Sequence, residues 1–147
     1  MSTILVDRQS IVDTARSYIG TRFLHQGRMR GGGVDCAGLL MCVAYDLRLR
    51  DVQISGYGRQ PNEDEFRAAL REHLVPIGYT DILPGDVLTF AVPIEQHIAI
   101  VSRINPIWII HAYEKVGRVV DQELDATWLR RLRGCYRLRE AAPMVMD

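Results

Sequence analysis

Cys36 stands where a glycine-rich loop meets an apolar helix, in the segment Gly33-Val34-Asp35-Cys36-Ala37-Gly38-Leu39-Leu40. The first turn of a helix carries unpaired backbone N–H groups and the positive end of the helix dipole, and both favour a thiolate over a thiol. The thiolate is the nucleophilic form, so this placement predicts a reactive cysteine. His97 and His111, far downstream, supply the two further groups a thiol nucleophile needs: a base, and a residue that orients the base.

The other reactive types have plainer readings. Cys42 falls in the middle of the apolar stripe and is assigned, with Cys135, to the core. A metal site built on Cys36, His97 and His111 lacks an obvious fourth ligand, which a closed zinc site requires, so no metal or other cofactor is expected. Asp35 suits a helix cap, Asp86 a turn whose carboxylate bonds backbone N–H groups, and His73 a structural or solvated place late in a helix.

Three helices must position these groups. Ile11, Ala15, Tyr18 and Ile19 share one face at helical spacing, predicting a helix over 7–19 that Gly20 stops. Asp35 caps the second helix, whose stripe of Leu39, Leu40, Val43, Ala44 and Leu47 ends near Arg48 and Arg50 and is expected to be buried on one side. Asn62 and Glu65 match a capping box for a third, with Phe66, Ala69, Leu70 and Leu74 on its apolar face.

From Leu83 onward the period changes to that of strands, at 86–90, 97–102, 107–112, 118–121 and 135–138. Helices followed by strands imply an α+β fold in which the Cys36 helix packs on one antiparallel sheet carrying both histidines. For His97 and His111 to oppose each other directly, the hairpin must centre on Ile104 with a connection of three or five residues. An even-length loop would send the two rings to opposite faces.

Composition narrows the function. At 147 residues and 48% hydrophobic, the chain is long enough for one core and is read as a single domain over 1–147. Its 18 Lys and Arg balance 18 Asp and Glu, so nothing points to nucleic acid. No apolar run could span a bilayer and no signal peptide opens the chain, which predicts synthesis in the cytoplasm and, for work elsewhere, delivery by lysis, a particle or a partner. The loop over 51–61, with two glycines, is expected to be mobile.

In combination, Gly20-Thr21-Arg22-Phe23-Leu24-His25-Gln26-Gly27, then Val34-Asp35-Cys36-Ala37-Gly38-Leu39, then Leu83-Pro84-Gly85-Asp86-Val87, then His97-Ile98-Ala99-Ile100-Val101, then Ile110-His111-Ala112 resemble the NlpC family of papain-like bacterial cell-wall peptidases. The stretch Phe23-x-His25-Gln26-Gly27-Arg28 is similar to the branch found with bacteriophage tails and gene transfer agents, which implies tail proteins as partners and a particle that reaches the wall.

The resemblance implies hydrolysis of an amide in the peptidoglycan stem peptide, next to a γ-linked D-glutamyl residue. Cys36 would attack the carbonyl, His97 would move protons and His111 would hold the His97 ring. The oxyanion would meet the Cys36 backbone N–H. Many members carry a tyrosine where Phe23 stands, and Phe23 cannot donate; His25 is the substitute second donor. Asp35 joins His25 and Phe23 in the expected binding shell, and Arg28, with Arg22 and Arg30, is expected to receive substrate carboxylates. The alternative is a catalytically inactive tail-assembly component that keeps the fold.

Overall fold

A computed structural model describes residues 5–49 and 51–142; Arg50, expected near the end of the second helix, lies outside them. Helix α1 (Arg8–Arg16) is capped by Asp7, whose carboxylate accepts from Gln9 N–H at 2.9 Å. It stops short of the predicted end at 19. From Tyr18 the backbone bonds tighten to i→i−3, Tyr18 to Ala15 and Ile19 to Arg16. That turn keeps Tyr18 buried, its hydroxyl donating to Asp46 at 2.6 Å, and swings Ile19 out to 46% exposure, contrary to the face expected for it.

A short hairpin, β1 (Arg28–Met29) and β2 (Gly33–Val34), leads into helix α2 (Cys36–Asp46). Every residue of α2 from Cys36 to Ala44 is buried, so this is a central helix enclosed all round rather than one covered on a single side. Helix α3 (Glu63–His73) is capped as expected, Asn62 Oδ1 accepting from Glu65 N–H at 3.0 Å. His73 is structural: it is buried, and its Nε2 accepts from Gln53 N–H at 3.3 Å.

The remaining strands are β3 (Leu74–Pro76), β4 (Val87–Ala91), β5 (Glu95–Arg103), β6 (Trp108–Tyr113), β7 (Arg118–Glu123) and β8 (Leu132–Leu138), and they form one antiparallel sheet in the order β3-β8-β4-β5-β6-β7. Strand β3 and helix α4 (Ala126–Arg131) are additions to the elements read from the sequence. Pro76 can belong to a strand because β3 is an edge, where its missing N–H costs no ladder bond. Helix α4 is too short to show a helical period.

Both faces of the sheet are covered. Ile98, Ile100, Ile110 and Ala112 pack with α2 into the main core, while Leu88, Phe90, Ala99, Val101 and Ile109 meet Trp128 of α4 on the other side. Asp86 does more than the turn duty expected of it. Its buried carboxylate accepts from Leu83 N–H at 2.8 Å and also from Arg8 and Arg137, each at 2.9 Å, tying α1 and β8 to the start of β4.

Candidate active site

Asp35 sets the start of α2. Its Oδ1 accepts from Gly38 N–H at 2.7 Å and its Oδ2 from Gln26 N–H at 2.8 Å, so a single carboxylate caps the helix and holds the preceding loop against it. Gly38 is required there because the Gly27 carbonyl lies where any Cβ would sit. The residue pattern Asp-Cys-Ala-Gly is therefore a packing solution that sets Cys36 in the wall of a cleft of about 320 Å³. His97 lines the same cleft.

The thiol donates to the Gln96 carbonyl at 3.6 Å. Burial, followed by the Asp35 charge, pushes its pKa up to about 12, outweighing the backbone N–H groups of Ile98, Ala37 and Cys36 that pull the other way. The helix terminus alone would favour a thiolate, but at this buried position desolvation wins and the thiol is neutral.

The two histidines meet by a route different from direct opposition. Ile100 pairs with Ile110 and Val101 with Ile109, which centres the hairpin on Asn105, and the loop from Ile104 to Ile107 has an even length. The pairing shifts by one between Val101 and Arg103, and this shift restores the parity that an even loop would break. His97 and His111 thus share a face as diagonal neighbours, with His97 Nε2 lying 2.7 Å from His111 Nδ1.

Gln122 on β7 completes the chain, its Oε1 lying 2.8 Å from His111 Nε2. Burial, first of the causes, holds His97 well below the usual histidine range and lowers His111 too, so both rings are neutral near pH 7. An amide oxygen can only accept, so His111 carries its proton on Nε2 and presents a bare Nδ1. His97 must then donate from Nε2, which leaves its Nδ1 as an unprotonated acceptor. Trp128 lies along the His97 ring at 5.3 Å with 29° between planes, and meets His111 edge-on at 4.9 Å.

Several solved structures share this architecture. The chain aligns over 94% of its length with an NLP/P60-family lipoprotein-like protein of Staphylococcus aureus (20% identity, TM-score 0.65), covering 45% of that chain. It aligns over 90% with the NlpC/p60 domain of the peptidoglycan hydrolase SagA (22% identity, TM-score 0.68), covering 100% of it. With the peptidoglycan hydrolase RipB of Mycobacterium tuberculosis it shares 14% identity over 92% of its length (TM-score 0.63), covering 65% of that chain. The chain has the NlpC/P60 fold. No family model and no curated protein sequence matches it.

Within that NlpC/P60 fold, Phe23, His25 and Asp35 line the Cys36 cleft. Half-buried His25 packs against Gly58, where a Cβ would stand 2.9 Å from its Cε1. Arg28 does not line the cleft: it extends from β1 to Gln53 Oε1 at 2.8 Å beside a separate depression. Arg22 donates to the Gly32 carbonyl at 2.7 Å, and Arg30 pairs with Asp46 at 2.9 Å while lying over the Tyr18 ring. Cys42 is buried as predicted, whereas Cys135, paired with Leu88 across the β8–β4 ladder, is only half-buried. Among the described residues, no group of three or more His, Cys, Asp or Glu is placed to hold a metal ion.

Sequence reasoning missed Gln122, Gln96, Tyr57, Arg59 and Trp128. Only Gln122 left a usable signal. On β7 it shares the parity of Val120, the partner of His111, and so belongs to the same face.

Proposed function

We propose that this chain is a cell-wall cysteine peptidase that cleaves an amide in the stem peptide of peptidoglycan, beside a γ-linked D-glutamyl residue. The observation that carries the reading is that His97 lines the same cleft as Cys36, at the start of a helix, with its ring held from behind by buried His111 and, through it, by Gln122. The NlpC/P60 neighbours described as peptidoglycan hydrolases support the substrate class.

In this reading the thiol turns from the Gln96 carbonyl toward the bare Nδ1 of His97 when substrate fills the cleft. Sulfur bonds to the scissile carbonyl carbon as the thiol proton passes to His97. The oxyanion meets the Cys36 N–H at the helix start, with His25 as second donor in place of the hydroxyl Phe23 lacks. The C–N bond then breaks, the amine leaves with the proton from His97, and water, deprotonated by the same ring, releases the acid and restores the thiol. A neutral thiol and a neutral imidazole make proton transfer part of the attack rather than a step before it.

The assignment to a particle of the bacteriophage or gene-transfer-agent type rests on the Phe23–Arg28 stretch, and with it the proposal that the protein acts on the wall from such a particle. Digestion of purified peptidoglycan by the chain, with mass spectrometry of the fragments, tests the activity. Release of stem-peptide pieces by the wild type and not by Cys36→Ala is expected. Intact sacculi after prolonged incubation would favour the inactive assembly component instead.

A further inference from the structure

Three arginines near the cysteine loop are engaged elsewhere: Arg22 with the Gly32 carbonyl, Arg28 with Gln53 and Arg30 with Asp46. Arg59 differs. It is exposed, lines the cleft with Cys36 and His97, and makes no hydrogen bond or ion pair among the described residues.

Its backbone is nevertheless held with respect to the reacting groups. Gly58 N–H donates to Gln96 Oε1 at 2.9 Å, the Gln96 amide donates to the Val92 carbonyl at 2.8 Å, and the Gln96 carbonyl is the acceptor for the Cys36 thiol. From the other side the Tyr57 hydroxyl donates to Asp35 Oδ1 at 3.4 Å. Residues 57 and 58 are thereby tied to the neighbour of Cys36 and to the neighbour of His97. Gly58, at φ +105° and against His25, makes the close turn that delivers Arg59 to the rim. Two other charged side chains line the cleft. Asp35 has both oxygens occupied by the helix and loop, and Glu114 stands exposed beyond the end of β6.

We infer that Arg59 is a specificity-determining residue that receives a substrate carboxylate beside the scissile amide, and so selects the free α-carboxylate that γ-linkage leaves on a glutamyl residue. An α-linked glutamyl residue uses that group in its backbone, and an α-carboxamide keeps its shape but loses its charge. A guanidinium fork matches a carboxylate in both geometry and sign. The inference rests on the peptidase reading for the identity of the substrate.

Two stem peptides that differ only in α-carboxylate against α-carboxamide on the γ-D-glutamyl residue provide the test. Wild type should favour the carboxylate by about tenfold or more in kcat/KM, and Arg59→Gln should bring that ratio close to one. Arg59→Lys should retain part of the preference, while Glu114→Gln should leave the ratio in place. Calorimetric binding to Cys36→Ala, with and without Arg59→Gln, should give the same discrimination without turnover. Equal use of both peptides by wild type, or a ratio that survives Arg59→Gln, overturns the role of Arg59 and leaves the peptidase reading standing. Arg59-dependent carboxylate binding without cleavage by wild type overturns the peptidase reading alone, and absence of both overturns both.

Discussion

His97 Nε2 and His111 Nδ1 lie 2.7 Å apart, and Gln122 Oε1 stands 2.8 Å from the far nitrogen of His111, so a β7 amide determines which nitrogen of a β5 histidine is free to take a proton. Removing the middle of this relay with His111→Ala should lower turnover about 100-fold or more, with the protein still folded. Gln122→Glu should keep the acceptor and add a negative charge, which stabilises the imidazolium and moves the acid limb of the kcat profile to higher pH. A pH profile that Gln122→Glu leaves unmoved would sink the relay.

The Cys36 thiol, pushed up to about 12 mainly by burial, sets a second expectation. Alkylation by iodoacetamide follows the thiolate fraction, so the rate at Cys36 should climb by about tenfold per pH unit between pH 6 and pH 9 without a plateau. Peptide mapping by mass spectrometry reads the rate residue by residue. A plateau near neutrality would mean that a thiolate–imidazolium pair already exists in the resting protein.

Acid should destabilise the fold through the same histidines. Both have folded pKa values lowered from the ordinary 6.5, so below that pH the unfolded chain binds protons that the folded chain refuses. Stability is therefore fully present above about 6.5 and is lost as pH falls below it. Urea midpoints at pH 7.5 and pH 5 should differ in wild type and differ less in His111→Asn. Equal pH sensitivity in the two proteins would place the acid effect elsewhere.

His25 lines the Cys36 cleft and packs against Gly58. On the proposal that His25 is the second oxyanion donor, His25→Ala should cost on the order of 100-fold in kcat with little change in thermal midpoint, since the ring is only half-buried. Normal turnover in that variant would return His25 to a loop-bracing role.

Trp128 is buried between the two histidines, Phe90 and Tyr113. Trp128→Ala should cost about 3 kcal/mol or more by denaturant unfolding. Trp128→Phe should recover most of the stability but leave His97 less constrained, lowering kcat more than it changes KM. An unchanged kcat in Trp128→Phe would show that the ring merely fills space.

Much of this arrangement is written locally in the chain. The Asp35 cap, the start of α2, the Asn62 cap and the five strands from β4 onward follow from residue type and period, because caps and alternation act within a few residues. The likeness to a cell-wall peptidase family and the choice of Cys36, His97 and His111 come from the same short stretches. Tertiary structure decided the rest. A one-residue shift in the β5–β6 register rescued the parity of the two histidines across an even loop, and only the paired strands reveal it. Gln122 reaches the site from a third strand, just past the span read for it at 118–121, while Trp128 and Arg59 come from a six-residue helix and a tethered loop, neither of which carries a pattern of its own. The thiol's protonation also belongs to this level: a helix start favours the anion, but burial depends on what the whole chain packs around Cys36, and at this site desolvation outweighs the dipole.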